Sequence, residues 1–172
     1  MVGFKLNIEK ALTALLYVSS ELGSNADFHK TFKILYFADQ KHLVRYGRPI
    51  IGDLYVKMKY GPVPSYIKNV VDGNIEQYSN IVEVYNRIYM RPIQKFDLDY
   101  LSASDLECLA ESIRENKDLS FDDLTRKSHD AAWNGASWPI DYLEVLKAGS
   151  ENESDMLSYV KANMLNNNIM LS

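Results

Sequence analysis

Residues 33–65 of the chain read KILYFADQKHLVRYGRPIIGDLYVKMKYGPVPS, and the change of pattern inside them decides the fold. On the N-terminal side, Phe28, Phe32, Leu35, Tyr36, Asp39 and Leu43 fall on one stripe. That spacing predicts a helix from near Asp27 to Tyr46, closed by Gly47. Beyond it, Gly47-Arg48-Pro49, Gly52-Asp53 and Gly61-Pro62-Val63-Pro64 forbid a continuous helix. Between these breaks Leu54, Val56 and Met58 alternate with Tyr55 and Lys57, the period of a short strand. Asp39 is the odd member of the helical stripe. A buried carboxylate left ionised and bare is costly, so it needs a partner: Arg48, or the backbone amides of the glycine-proline loops. Its expected role is to pin those loops.

Outward from this segment, Ile8, Leu12, Leu15, Leu16, Ser19 and Leu22 predict a first helix, capped by Asn7 and stopped at Gly23. A helix starting at Pro64 or Ser65 runs through Val70 to Asp72-Gly73. Ile81, Val82, Val84, Tyr85, Ile88, Tyr89 and Ile93 predict a hairpin centred on Asn86-Arg87, its second strand ended by Pro92. A further helix carries Leu106, Leu109, Ala110 and Ile113. Ser102 or Ser104 caps it, with Ser104-x-x-Glu107 as a capping-box match. Another helix begins at Ser120, and a short one follows Trp138-Pro139. Met156, Val160 and Met164 form a last amphipathic helix, after which Asn166 to Ser172 reads as a loose tail. The expected fold is a helix-rich α+β single domain over residues 1–149 with a small antiparallel sheet or hairpin. Residues 150–172 form a C-terminal helix and flexible tail, packed on that domain or extending from it.

Composition narrows the function. With 47% hydrophobic residues among 172, the chain has enough apolar surface to fold alone. A single cysteine, Cys108, excludes a disulfide framework and fits a reducing cytoplasm; its context reads as a helical core position. The longest apolar run, Ala11 to Val18, falls well short of the roughly 20 residues a bilayer requires. The net charge of -4 argues against nucleic-acid binding by this chain alone, but it is unevenly placed. From Phe28 to Val70 eight basic residues stand against Asp39 and Asp53, whereas from Asp97 to Asp130 ten acids stand against four bases. Either the two halves attract each other or the basic half steers an acidic partner. His29, His42 and His129 have no metal-site spacing, no phosphate loop follows the glycines, and no nucleophile elbow is present. No cofactor, metal or catalytic residue is expected.

The ordered run Lys33-Ile34-Leu35-Tyr36-Phe37-Ala38-Asp39, His42-Leu43, Tyr46-Gly47-Arg48-Pro49-Ile50, Gly52-Asp53, Tyr55-Val56 and Lys59-Tyr60-Gly61-Pro62-Val63-Pro64-Ser65 resembles the signature block of the Panacea domain of SocA-like antitoxins. Leu101-Ser102, Leu124, Ser128-His129 and Trp133 resemble that family's C-terminal element, and the resemblance covers about residues 8 to 135. It implies a prokaryotic or prophage-borne type II antitoxin that neutralises a cognate toxin by direct contact, without enzymatic activity of its own. The alternative is a proteolytic adaptor that delivers the toxin to a ClpXP-type protease, with the Ser150 to Ser172 tail as a candidate contact. A third reading, an enzyme acting on the toxin's product, would have to use Asp39, Asp53 and His129. For toxin contact the candidate anchors are Arg48, Tyr60 and Tyr66, of residue types that often dominate protein interfaces. Asp39, Tyr46, Gly47, Pro49, Gly52, Asp53, Gly61, Pro62, Pro64, His129 and Trp133 are expected to be scaffolding.

Overall fold

The computed structural model describes residues 4–151 and 154–169. In chain order the elements are α1 (Ile8–Leu22), α2 (Phe28–Tyr46), β1 (Tyr55–Met58), β2 (Gly61–Pro64), α3 (Ser65–Val71), β3 (Val82–Tyr85), β4 (Tyr89–Pro92), α4 (Ala103–Asn116), α5 (Phe121–Ser128), α6 (Ala131–Gly135), α7 (Tyr142–Gly149) and α8 (Ser154–Ile169). The fold is a helix-rich α+β domain whose strands form two separate antiparallel hairpins, β1–β2 and β3–β4.

Its axis is α2. The Asp27 carboxylate accepts the Lys30 amide at the start, and Gly47 ends the helix in the left-handed conformation at φ 73°. The single expected stripe proves too narrow, because every residue from Thr31 to Asp39 is buried. Phe32, Ile34, Leu35 and Ala38 enter one core shared with α1, α3, α4 and the β3–β4 hairpin. Tyr36, Phe37 and Leu43 enter a second, shared with Tyr55 of β1 and with α5 to α8. A helix enclosed by two cores shows no polar face to reveal which way it is turned.

Several sequence expectations need correction in detail. In α1 the buried face takes in Ala11, Ala14 and Val18, while Ile8 is exposed; the small residues allow close helix approach. The cap of α4 is Ser102, whose hydroxyl accepts the Asp105 amide while the Asp105 carboxylate accepts the Ser102 amide, so Ser104 and Glu107 do not form the capping box. Gly61-Pro62-Val63-Pro64 is a strand and not merely a loop, paired in the register Tyr55↔Pro64 to Met58↔Gly61. Helix α8 continues through Ile169, so Asn166 to Ile169 is helical rather than loose; residues 170–172 and the side chain of Met164 lie outside the described residues. The β3–β4 hairpin is as expected, with positive φ at both Asn86 and Arg87.

Candidate partner-binding face

The signature block forms a folded ledge, and its polar residues are spent on holding it. Asp39 Oδ1 accepts the amides of Ile50 (2.8 Å) and Ile51 (3.0 Å), and Oδ2 accepts the Tyr55 hydroxyl (3.0 Å). Of the two partners considered for Asp39, the loop amides are the ones it uses. Burial pushes its pKa up to about 7, against the pull of the Ile51 and Ile50 amides and the Tyr55 hydroxyl. Asp53 reaches the start of α3, where it accepts the amides of Tyr66 and Ile67, both at 3.0 Å. It caps a helix that begins after a proline and has no side-chain cap from its own preceding residue.

Arg48 turns away from Asp39 and donates to Asp105 Oδ1 at 3.1 Å. Asp105 also pairs with Lys10 and lies 3.2 Å from His42 Nε2. His42 Nδ1 stands 2.7 Å from the Arg48 carbonyl, which can only accept, so that nitrogen carries the proton. Burial holds the imidazole below its ordinary pKa, and in the neutral ring Nε2 accepts the Ser104 hydroxyl at 2.9 Å. This cluster ties α1, α2 and the Gly47–Gly52 corner to α4.

The β1–β2 hairpin carries the outward part of the block. Its two-residue tip, Lys59-Tyr60, precedes Gly61 at φ 107°, where a Cβ would lie 2.2 Å from Ser128 Oγ and 2.5 Å from Lys33 Cε. Lys33 is itself buried, its ammonium donating to the Pro62 carbonyl at 2.9 Å, and burial lowers its pKa to about 7. On the hairpin's other flank His129 and Trp133 stack at 3.6 Å. Trp133 Nε1 donates to the Met58 carbonyl at 3.0 Å, and the Lys57 ammonium sits 4.6 Å above the indole. The two residues brace the hairpin, one turn of chain apart.

The three candidate anchors have different surroundings. Arg48 is engaged with Asp105, and Tyr66 packs against the first core. Tyr60 is 47% exposed, edge-on to Phe121 with ring centres 5.2 Å apart. Phe121, itself stacked on His29 at 4.0 Å, was not singled out from the sequence, where it reads only as the residue after the Ser120 cap. Asp39 and Asp53 are sealed inside the ledge, whereas His129 stands beside the hairpin, so the three residues of the enzymatic reading do not converge on open space.

Charge placement resolves along the same line. Lys41 and Arg45 of α2 pair with Glu111 and Glu115 or Glu107 and Glu111 of α4, and Arg48 pairs with Asp105, so much of the basic half is neutralised internally. Lys30, Lys57 and Lys59 meet no carboxylate among the described residues; Lys30 and Lys57 donate to backbone carbonyls and Lys59 lies against Tyr60. No group of three or more possible metal ligands exists among the described residues, and none of their helices is long and apolar enough to cross a membrane.

The ledge thus keeps its carboxylates for internal hydrogen bonds and turns an aromatic and basic hairpin outward. A family model for the SocA-like antitoxins, the Panacea domain, matches residues 32–134, from within α2 to the end of the Trp133 helix. The chain belongs to that family. The match starts later than the residue-8 boundary expected from the sequence, leaving α1 outside it. Comparison with curated proteins gave no match, and comparison with solved structures gave none either.

Proposed function

We propose that this protein is an antitoxin that neutralises a cognate toxin by direct contact, and that the β1–β2 hairpin tip is at the centre of the contact. Membership in an antitoxin family supports the role. The observation that carries the geometry is the hairpin itself: Tyr60 stands half-exposed beside Phe121, with Lys57 and Lys59 free of carboxylate partners. Tyr at a rigid, aromatic-backed position is the kind of residue that dominates binding energy, since little rotamer entropy is lost when it is covered. Arg48 and Tyr66 then act by shaping the ledge, and Asp39, Asp53, His129 and Trp133 by fixing it. The toxin meets a preformed surface.

Two modes of neutralisation share this surface: occlusion of the toxin, and its delivery to a ClpXP-type protease. Co-expression with the product of the adjoining gene tests the role, with growth rescued by the wild type and lost with Tyr60→Ala. Failure of the wild type to rescue or to form a complex would remove the reading. Toxin half-life separates the modes, because occlusion leaves a persistent inactive complex whereas delivery shortens the toxin's life.

A further inference from the structure

The Gly47–Gly52 corner, the chain leading into α1 and Asn163 of α8 enclose a cleft of about 570 Å³. Two contacts set its shape. The Asn7 amide donates to the Ile51 carbonyl at 3.0 Å, and Gly52, at φ 76°, lets the Lys5 carbonyl come within 2.8 Å of where a Cβ would stand. Lys5 is thereby held against the corner that carries Arg48, with Lys10 in the first turn of α1 beside it. Phe4 and Pro49 add apolar wall.

The charge in these walls has one sign. Lys5, Lys10 and Arg48 line the cleft and no carboxylate does. Four other cavities each have an acid in the wall: Glu115, Asp27, Glu9, or the pair Glu107 and Glu111. Asp105 lies behind this cleft, fully buried, and serves both Lys10 and Arg48. Lys5 meets no carboxylate among the described residues. Three cations against one carboxylate leave an excess of two; Glu9, in the adjoining cleft, is exposed, where solvent and salt screen it.

A carboxylate ligand answers only one of those charges, whereas a phosphate monoester, at about -1.5 to -2 near neutral pH, answers both. A guanidinium fork and two ammonium groups are the donors such a group takes, and the carboxamides of Asn7 and Asn163 add neutral ones. The volume is that of a small-molecule site, with room for the body of the ester. Walls from three separate segments suit a free molecule better than a residue of a chain, which must enter and leave.

We propose that this cleft binds a small-molecule phosphate monoester, with Lys5, Lys10 and Arg48 on the phosphoryl group. The site is separate from the hairpin tip and independent of the toxin-binding reading. Amide NMR of the full chain, following Gly47 and Gly52, tests it. Phenyl phosphate should shift both signals saturably, and benzenesulfonate, with the same ring and a single negative charge, should bind roughly tenfold more weakly. Lys5→Glu should weaken phenyl phosphate binding roughly tenfold or more. Lys95→Glu, the same charge change at an exposed lysine outside the cleft, should leave it unchanged. Lys5 is exposed, so Lys5→Glu should keep the wild-type thermal midpoint; if it does not, Lys5→Ala is read in its place, with a smaller loss in the same direction. Equal affinity for the two probes, equal loss in Lys5→Glu and Lys95→Glu, or no saturable shift at the two glycines would overturn the proposal. So would tighter binding of a phosphotyrosine tripeptide than of phenyl phosphate, which would assign the cleft to a phosphorylated chain.

Discussion

Asp39 and Lys33 lie six residues apart on α2, both buried, and both hold the segment that follows the helix. Removing the Asp39 carboxylate strands two buried amides, so Asp39→Ala should cost about 3 kcal/mol in urea unfolding. Asp39→Asn should cost about 1 kcal/mol or less, because both amides converge on Oδ1, which an asparagine oxygen can replace, while the Tyr55 hydroxyl can rotate to accept from the new NH2 group. Equal losses from the two variants would contradict this account of the clamp. Lys33 makes a pH-dependent prediction. Its folded pKa is lowered to about 7 from 10.5, so between those values the unfolded chain binds a proton that the folded chain releases. Stability from this group therefore rises as pH increases from 7 towards 10.5. In Lys33→Met that rise should disappear, and at pH 9.5, where the wild-type amine is relieved of its desolvation cost, the variant should be less stable by about 1–3 kcal/mol because the Pro62 carbonyl has lost its donor. Unfolding curves at pH 7 and pH 9.5 check both points.

At the scale of elements, the β1–β2 hairpin shows what local pattern reveals and what it hides. The existence of the strand Tyr55–Met58 is legible, although its alternation does not give the inner face, since Tyr55 is buried and Met58 exposed; the β3–β4 turn is legible from Asn86, which tolerates positive φ. β2 is not legible, since two prolines in four residues argue against a strand. It persists because its pairing is short and the Pro62 carbonyl receives a donor from Lys33, a contact across 29 positions that no local spacing announces. Asp105 is hidden for the same reason, because its partners come from α1, α2 and the Gly47–Gly52 corner. The asparagine-rich end of α8 misled differently: once a helix is nucleated, each added residue gains a hydrogen bond, so weak formers are carried along. Of the candidate site, Tyr60 could be picked out by residue type. Its backing by Phe121 and His29 could not, because those residues lie 61 and 31 positions away in the chain. Gly61 makes the hairpin's seating testable. Gly61→Ala combines strained φ with clashes against Ser128 and Lys33, and should lower stability by about 2–4 kcal/mol. A thermal midpoint equal to the wild type's would show that the hairpin is not seated as described.

For the whole molecule, α2 joins two cores, and the basic and acidic halves of the chain meet along its contact with α4. Part of the charge asymmetry seen in the sequence is therefore structural, since Lys41, Arg45 and Arg48 pair with the acidic segment, while Lys57 and Lys59, without carboxylate partners among the described residues, stand on the hairpin where the ledge turns outward. The same economy applies to hydrogen bonding: Asp39, Asp53, Asp105 and His42 all serve the scaffold, which is why the proposed function assigns toxin contact to the hairpin tip instead. On the proposed reading such a surface acts on the isolated toxin by occupancy, at a fixed molar ratio. Titration of the adjoining gene's purified toxin with this protein measures that directly. Toxin activity should fall in proportion to added protein and reach its floor at a fixed molar ratio; complete loss of activity at far below that ratio, increasing with time, would contradict the account.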